Sequence, residues 1–581
     1  MVRKILSYIQ QYKKYVFIGP IFVVLEVICE LSMPLLMARI VDIGIANMDL
    51  TYIWHIGIIM IVLAVAAIVF GSVNIICTSI SSQGFAANIR QSLFYKIQTF
   101  SFANIDRFST ASLVTRLTND VNVLQNTLMM SLRLLIRAPI MLVCALILAV
   151  SINGQLALIL MFALPILAVA IVIIMKRGNK LYAVMQKKID GLNSTVQENL
   201  IAIRVVKSFV RMVFEKTKFK KSNDELMQAA MKASNNIIII MPIMMLVLNG
   251  ATLAVIWFGG KMVGTQVLGT GELMGFISYI MQIMISLMMI AMIFLFLSRA
   301  KACGERVLEV LETQPDIQDA SIMQIEQVLD SKVRGKVEFC NVSFKYATEG
   351  AGDAVLQDVS FVAEPGEVIG IIGGTGTGKS TLVNLIPRFY DVTSGKVQVD
   401  DVDVRDYPLA ALRQKIGMVL QNNVLFSGTI AENLRWGNPK ATDEEIREIC
   451  KDAQIDDFIS SLPEQYESHV EQGGTNFSGG QKQRLCIARA MLKKPEILIL
   501  DDSTSAVDSA TESKIRESFY HNFSHTTVFI IAQRIMSVRS ADKIIVFDDG
   551  KIVGFGTHEE LLLSNSIYRE IITSQQEEVS A

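Results

Sequence analysis

The sequence predicts an all-α domain of six membrane-crossing helices joined to an α/β domain of the phosphate-loop class. Three observations predict it. Six apolar stretches of membrane length follow one another between residues 15 and 298. From 336 to 575 the composition becomes that of an ordinary charged globular domain. Within that second part an apolar strand pattern, a glycine-rich loop and a helical pattern come in direct succession after residue 367. The expected boundaries are 1–310 for the membrane domain, 311–335 for a linker and 336–575 for the second domain.

A helix needs about 20 apolar residues to cross a bilayer. The candidate spans are Tyr15–Ile40, Ile53–Ser79, Leu132–Ile152, Leu156–Met175, Ile237–Phe258 and Leu273–Phe296. Pro34, Pro139, Pro165 and Pro242 fall in or beside them, which membrane helices tolerate. Basic residues give the orientation. Arg3, Lys4, Lys13 and Lys14 precede the first span, and Arg90, Lys96, Arg107 and Arg116 lie in the 80–131 connection. The 176–236 connection is denser still, with Lys176, Arg177, Lys180, Lys187, Lys188, Arg204, Lys207 and Arg211. The short links at 41–52 and 153–155 have none, and 259–272 has only Lys261. The expectation is a multi-pass protein of the cell membrane with both termini, both long connections and the second domain in the cytoplasm. The long connections keep apolar residues at helical spacing, so they read as helices that run into the cytosol and turn near 105–115 and 200–210.

Formal net charge is −1, and nothing in it points to nucleic acid as a partner. The seven cysteines have neither CxxC nor metal-ligand spacing and read as small buried hydrophobes.

The apolar strand 368–372 leads into Gly373, Gly374, Thr375, Gly376, Thr377, Gly378, Lys379, Ser380 and Thr381. Glycines let backbone N–H groups wrap phosphates, Lys379 reaches the terminal phosphates, and the Ser380 hydroxyl binds Mg²⁺. A second apolar strand, Ile497–Leu500, ends in Asp501, a carboxylate suited to the Mg²⁺ shell. Between them Phe477, Ser478, Gly479, Gly480 and Gln481 open a helix, whose N-terminal N–H groups and positive dipole end suit an anion.

The order of these elements resembles the ATP-binding cassette (ABC) family, and the membrane part is similar to its six-helix exporters with long intracellular helices. The resemblance covers essentially the whole chain. It implies ATP and Mg²⁺ as cofactors and a cassette with a helical subdomain. It also implies that Tyr346 stacks on adenine and that Gln421 senses Mg²⁺ beside the membrane half. Glu471-Gln-Gly473 is then a cross-subunit loop, Phe477–Gln481 the signature that clamps ATP held by the opposite subunit, and Ser505–Asp508 the loop at the dimer seam. Two cassettes sandwich two ATPs in this family, so one chain holds half of each site.

Two positions depart from the family pattern. The residue after Asp501 is Asp502 where glutamate is usual, and the switch reads Ile531-Ala-Gln533-Arg534 where histidine is usual. Asp502 draws the carboxylate back by about one bond length, ~1.5 Å. Gln533 donates a hydrogen bond to a phosphate but neither carries charge nor relays a proton. Both strike the same chemical step. The expectation is a heterodimer: a homologous half-transporter supplies glutamate and histidine, this chain's signature completes that partner's site, and the site on this chain's own loop hydrolyses slowly. The implied cargo is a drug or another small amphipathic compound. A lipid or peptide exporter and an ATP-switched regulatory protein are the alternatives.

The sixth span carries Met274, Met281, Met284, Met288, Met289 and Met292, with Gln282 and Ser286 among them. Soft, flexible side chains suit a promiscuous apolar cavity, and equally suit plain helix packing. Glu26 and Glu30 lie one turn apart on the first span, and Arg133 and Arg137 one turn apart on the third. Charges in spans are costly, so these either pair with one another or line the transport path.

Overall fold

The computed structural model describes residues 1–319, 335–346, 354–502 and 507–580. The chain divides into two compact units: Met1–Gln98 with Ala111–Thr313, and Thr99–Thr110 with Gln314–Ala581. Residues 99–110, which the sequence reading assigns to the membrane domain, thus cluster with the second unit.

In the first unit six helical stretches are long and apolar enough to cross a membrane, as expected. They extend well past the predicted spans. Leu50–Gln98, Gly154–Ile201 and Thr270–Glu312 are single helices of 49, 48 and 43 residues. At 1.5 Å per residue each is about twice the length of a bilayer core, so half of each runs outside it. Their apolar outer faces are exposed: Phe17, Ile61, Ile68, Met161 and Phe162 lie between 60 and 73 % accessible, as lipid-facing residues do. The predicted turns fall at Phe102–Phe108 and Ile203–Ser208, which are short separate helices. The fifth span is broken at Ile239, between Met212–Ile238 and Ile240–Gly264. Pro242 explains this, since its ring meets the carbonyl four residues back and it has no N–H to give.

Three of the four charges singled out within the spans pair. Arg137 donates from Nη1 to Glu26 at 2.5 Å and from Nη2 to Glu30 at 2.7 Å. Arg137 and Glu26 are 16 and 14 % exposed and Glu30 34 %, so two carboxylates share one guanidinium. Arg133 is exposed and takes no part. On the last membrane helix Met284 is buried, while Met274 and Met281 are about half exposed. Ser286 turns back on its own helix, bonding the Gln282 carbonyl at 2.8 Å.

The described residues of the second unit form two main sheets and a two-stranded ribbon that pairs Gly428–Thr429 with His469–Val470. The larger runs in the order Lys551–Gly556, Lys543–Asp548, Val368–Gly373, Thr527–Ile531, Ile497–Asp501, Ile416–Val419. All pairs are parallel except the one at the Lys551–Gly556 edge. Residues Ile497–Asp501 and Thr527–Ile531 are buried throughout, the pattern of parallel strands covered on both faces. A smaller antiparallel sheet pairs Val337–Phe344 with Leu356–Ala363 and Ser394–Val399. Helices from the segment 430–492 pack on the other side, giving two separate apolar clusters, one on each face of the large sheet.

Within this unit the short helix Phe102–Phe108 lies against the segment after the phosphate loop. Phe102 packs against Phe389, ring centres 4.4 Å apart and planes tilted by 35°, and the Tyr390 hydroxyl donates to Asp106 at 2.8 Å. Burial and the Asp106 carboxylate together raise the Tyr390 pKa.

Candidate nucleotide-binding site

Four parallel strands end at one edge, and their registers bring four loops together. Ile531 is opposite both Asp501 and Ile371, and Val419 is opposite Leu500. The loop from Gly373, then Gln421, Asp501–Asp502 and Gln533 therefore leave the sheet side by side, at the carboxyl ends where α/β sheets hold ligands. With Tyr346, Thr375, Gly376, Gly378, Lys379, Ser380 and Thr381 they line an open cleft of about 430 Å³. Ile531, at the start of the switch, and Val355, which the sequence reading does not single out, complete its wall.

The glycines of the loop have different reasons. A Cβ on Gly373 would sit 2.0 Å from the Phe547 carbonyl oxygen, so no side chain fits. Gly376 has open space around it but a φ of +82°, and Gly378 one of +104°, where residues with a Cβ are strained. The Thr377 hydroxyl closes the loop on the Gly374 carbonyl at 2.9 Å. Lys379 donates to the carbonyls of Gly373 and Gly374 at 2.9 and 2.5 Å. Desolvation pushes its pKa down, opposed by the charges of Asp501 and Asp502.

Ser380 donates to Asp501 Oδ1 at 2.9 Å. Burial pushes the pKa of Asp501 up, the Ser380 bond lowers it, and the charge of Asp502 raises it further. Asp502 is likewise pushed up by burial, against hydrogen bonds from Gln421 and Gln533. Its φ is +48°, a left-handed conformation that Asp adopts more readily than most residues. Gln533 Nε2 donates to Asp502 Oδ2 at 2.9 Å. A serine hydroxyl, a carboxylate and an amide oxygen at one place form a set of hard oxygen donors that fits Mg²⁺.

Tyr346 stands at the mouth of the cleft. Its hydroxyl shares a hydrogen bond of 2.9 Å with Thr381. Its ring meets Phe344 and Tyr390 edge-on at 4.8 and 5.2 Å, which fixes the ring plane. Tyr390 thus touches both Tyr346 and Asp106, a junction that the sequence reading missed. Its two contacts join residues 44 and 284 positions apart, and no local signal encodes it.

The structure does not bring Ser478, Gly479, Gly480, Gln481 or Asp508 to this cleft. Ser478 caps the helix Gly479–Leu492. Its Oγ accepts from Gln481 N–H at 3.3 Å, and its own N–H donates to Gln481 Oε1 at 2.8 Å. The Ser-x-x-Gln spacing is the sequence signature of this capping box. Ser478 and Gly479 are exposed, so the first turn presents its N–H groups outward. Asp508 caps the helix Ser509–Asn522 through Thr511 N–H at 2.9 Å, and that bond holds its pKa below the usual range. Ser505 and Ala506 lie outside the described residues. The Glu471 carboxylate accepts from the Thr475 hydroxyl at 2.7 Å.

Comparisons with known proteins agree with this geometry. Residues 16–287 match the family model of the ABC transporter transmembrane region, and 356–505 that of the ABC transporter. The chain is 40 % identical over 574 residues to the uncharacterised ABC transporter ATP-binding protein YfiB of Bacillus subtilis, covering 99 % of this chain and 98 % of the relative. It is 34 % identical over 509 residues to the fatty acid ABC transporter ATP-binding/permease protein of Mycobacterium bovis, covering 88 and 79 %. Its fold is that of a bacterial Atm1-family ABC exporter solved with ATP bound: the TM-score is 0.79 at 24 % identity, over 97 and 98 % of the two chains. The chain belongs to the ABC transporter family, as an exporter half-transporter that carries its membrane region and its ATP-binding, transport-coupled ATPase domain on one polypeptide.

Proposed function

We propose that this chain is the catalytically slower subunit of a heterodimeric exporter for amphipathic compounds. ATP with Mg²⁺ sits on Gly373–Thr381, with Tyr346 on the adenine and with Ser380, Asp501 and Gln421 on the metal. The observation that carries the slow-site reading is the Gln533–Asp502 hydrogen bond. The carboxylate that would steer water is one methylene short, and one of its oxygens is already held by an amide. That amide has no titratable proton to exchange at neutral pH.

Two features support a second half-transporter. The signature turn, Ser478–Gln481, does not line this chain's own cleft, and Ser478 and Gly479 are exposed. The tip of the long 176–236 connection exposes Leu200, Ile201, Phe209, Val210, Val213 and Phe214, each more than 60 % accessible. A patch of that kind marks an interaction surface. The basic residues of the long connections support a cytoplasmic nucleotide-binding domain in a protein of the cell membrane. The half-exposed methionines of the last span, and a relative named for fatty acids, support a lipid-like or drug-like cargo.

The test is purification through a tag on this chain from its native membranes. The expected result is a co-purifying homologous chain with glutamate and histidine at the two positions. The complex should hydrolyse ATP far faster than this chain alone and drive labelled amphipathic compounds into inverted vesicles. Brisk turnover by this chain on its own would sink the slow-site reading.

A further inference from the structure

The switch segment that carries Gln533 is gripped from outside the cleft by the last helix of the chain. Helix Ser566–Ser580 is anchored at its start. Tyr568 is fully buried, its hydroxyl pairs with His558 Nδ1 at 2.8 Å, and its N–H donates to Asn565 Oδ1 at 2.8 Å. Ile567, Ile571 and Ile572 pack against the neighbouring apolar cluster. Two turns beyond Tyr568, on the same face, stands Gln575. Its Oε1 accepts from Ile535 N–H at 2.9 Å, and its Nε2 donates to the Gln533 carbonyl at 2.7 Å. One planar amide thus spans the backbone on either side of Arg534.

Only one orientation of that amide works, because the loop offers an N–H on one side and a C=O on the other. Glutamate accepts but does not donate, and lysine donates but does not accept. Gln533 is therefore held at both ends: its carbonyl by Gln575 and its side chain on Asp502. Downstream, Arg516 of the helix Ser509–Asn522 donates to the Met536 carbonyl at 2.8 Å. That helix is the one Asp508 caps. The switch is pinned between two helices, and Gln575 makes the bond nearest to the residue that faces the phosphates.

We propose that Gln575 is a positioning residue for hydrolysis: through the backbone of residues 533–535 it sets where the side chain at 533 points. The proposal rests on the reading of 533 as the phosphate-facing switch residue. It makes the last helix a control element, since any shift of that helix moves the switch without touching nucleotide. Misplacing a catalytic group by about 1 Å can cost around 10²-fold, and losing one of two bonds should cost less.

The experiment is photolabelling of the membrane-embedded complex with 8-azido-ATP radiolabelled on the α-phosphate, because the crosslink reports this chain's own site. The ADP fraction on the labelled chain gives the rate, and the concentration dependence of labelling gives affinity. Gln575→Glu keeps size and the acceptor but loses the donor. It should slow ADP formation about tenfold, leave half-saturation within about twofold and leave the melting temperature unchanged. Gln575→Ala should slow it at least as much. An unchanged rate overturns the proposal, as does a rate that falls in step with affinity or melting temperature. Both variants are also made in an Asp502→Glu/Gln533→His chain. If that chain is no faster than wild type, the slow-site reading fails, while the effect of Gln575 is still read in each background.

Discussion

Gln533 Nε2 lies 2.9 Å from Asp502 Oδ2, so the two residues that depart from the family pattern are bonded to each other. They act as a unit. Asp502→Glu extends the carboxylate by about 1.5 Å and should raise ADP formation on this chain about tenfold. Adding Gln533→His, which restores a group that titrates near neutrality, should raise it further. The photolabelling assay reads both, and no gain from the double variant would refute the assignment.

The phosphate-loop glycines separate sterics from function. Gly373→Ala drives a Cβ into the Phe547 carbonyl and should lower the melting temperature of the ATP-binding domain as well as abolish nucleotide binding. Gly376→Ala meets nothing, but takes up a left-handed φ at a cost of about 1 kcal/mol. It should leave melting nearly unchanged, because that cost is small, and weaken ATP labelling by crowding the phosphate path.

The carboxylate pair should cost stability near neutral pH. Burial raises the pKa of Asp501 and of Asp502 above their unfolded values. A raised carboxylate pKa destabilises the fold once pH exceeds the unfolded value, and the penalty fades as pH falls through the folded pKa. Asp502→Asn keeps an acceptor for Gln533. Without nucleotide it should therefore raise the melting temperature by about 1–2 °C at pH 7 and by nothing below about pH 4. Equal gains at both pH values would rule this cause out.

The membrane charges predict an asymmetry. Arg137→Met strands Glu26 and Glu30 in a poorly hydrated site and should destabilise by about 3–5 kcal/mol. Glu30→Gln leaves the Arg137–Glu26 pair intact, and its effect on melting should be small. Thermal unfolding in lipid nanodiscs decides. If melting is untouched but substrate-stimulated ATPase changes, the triad lines the path instead of bracing the helices.

Much of this protein was determined by its sequence alone. Membrane spans are legible because a bilayer demands about 20 apolar residues in a row, and the phosphate loop because its function needs glycines and a lysine at fixed spacing in consecutive residues. The turns of the long connections were placed within a few residues for the same local reason. Tertiary structure alone decided the rest. Parallel register, a property of strand pairing, put Gln421, Asp502 and Gln533 on one cleft although they are up to 112 positions apart. Pairing of Arg137, rather than Arg133, with Glu26 and Glu30 depended on how the first and third spans pack. The joining of Tyr390 to Asp106 and of Gln575 to the switch arose from side chains brought together by folding, and no periodicity or spacing along a chain records such neighbours.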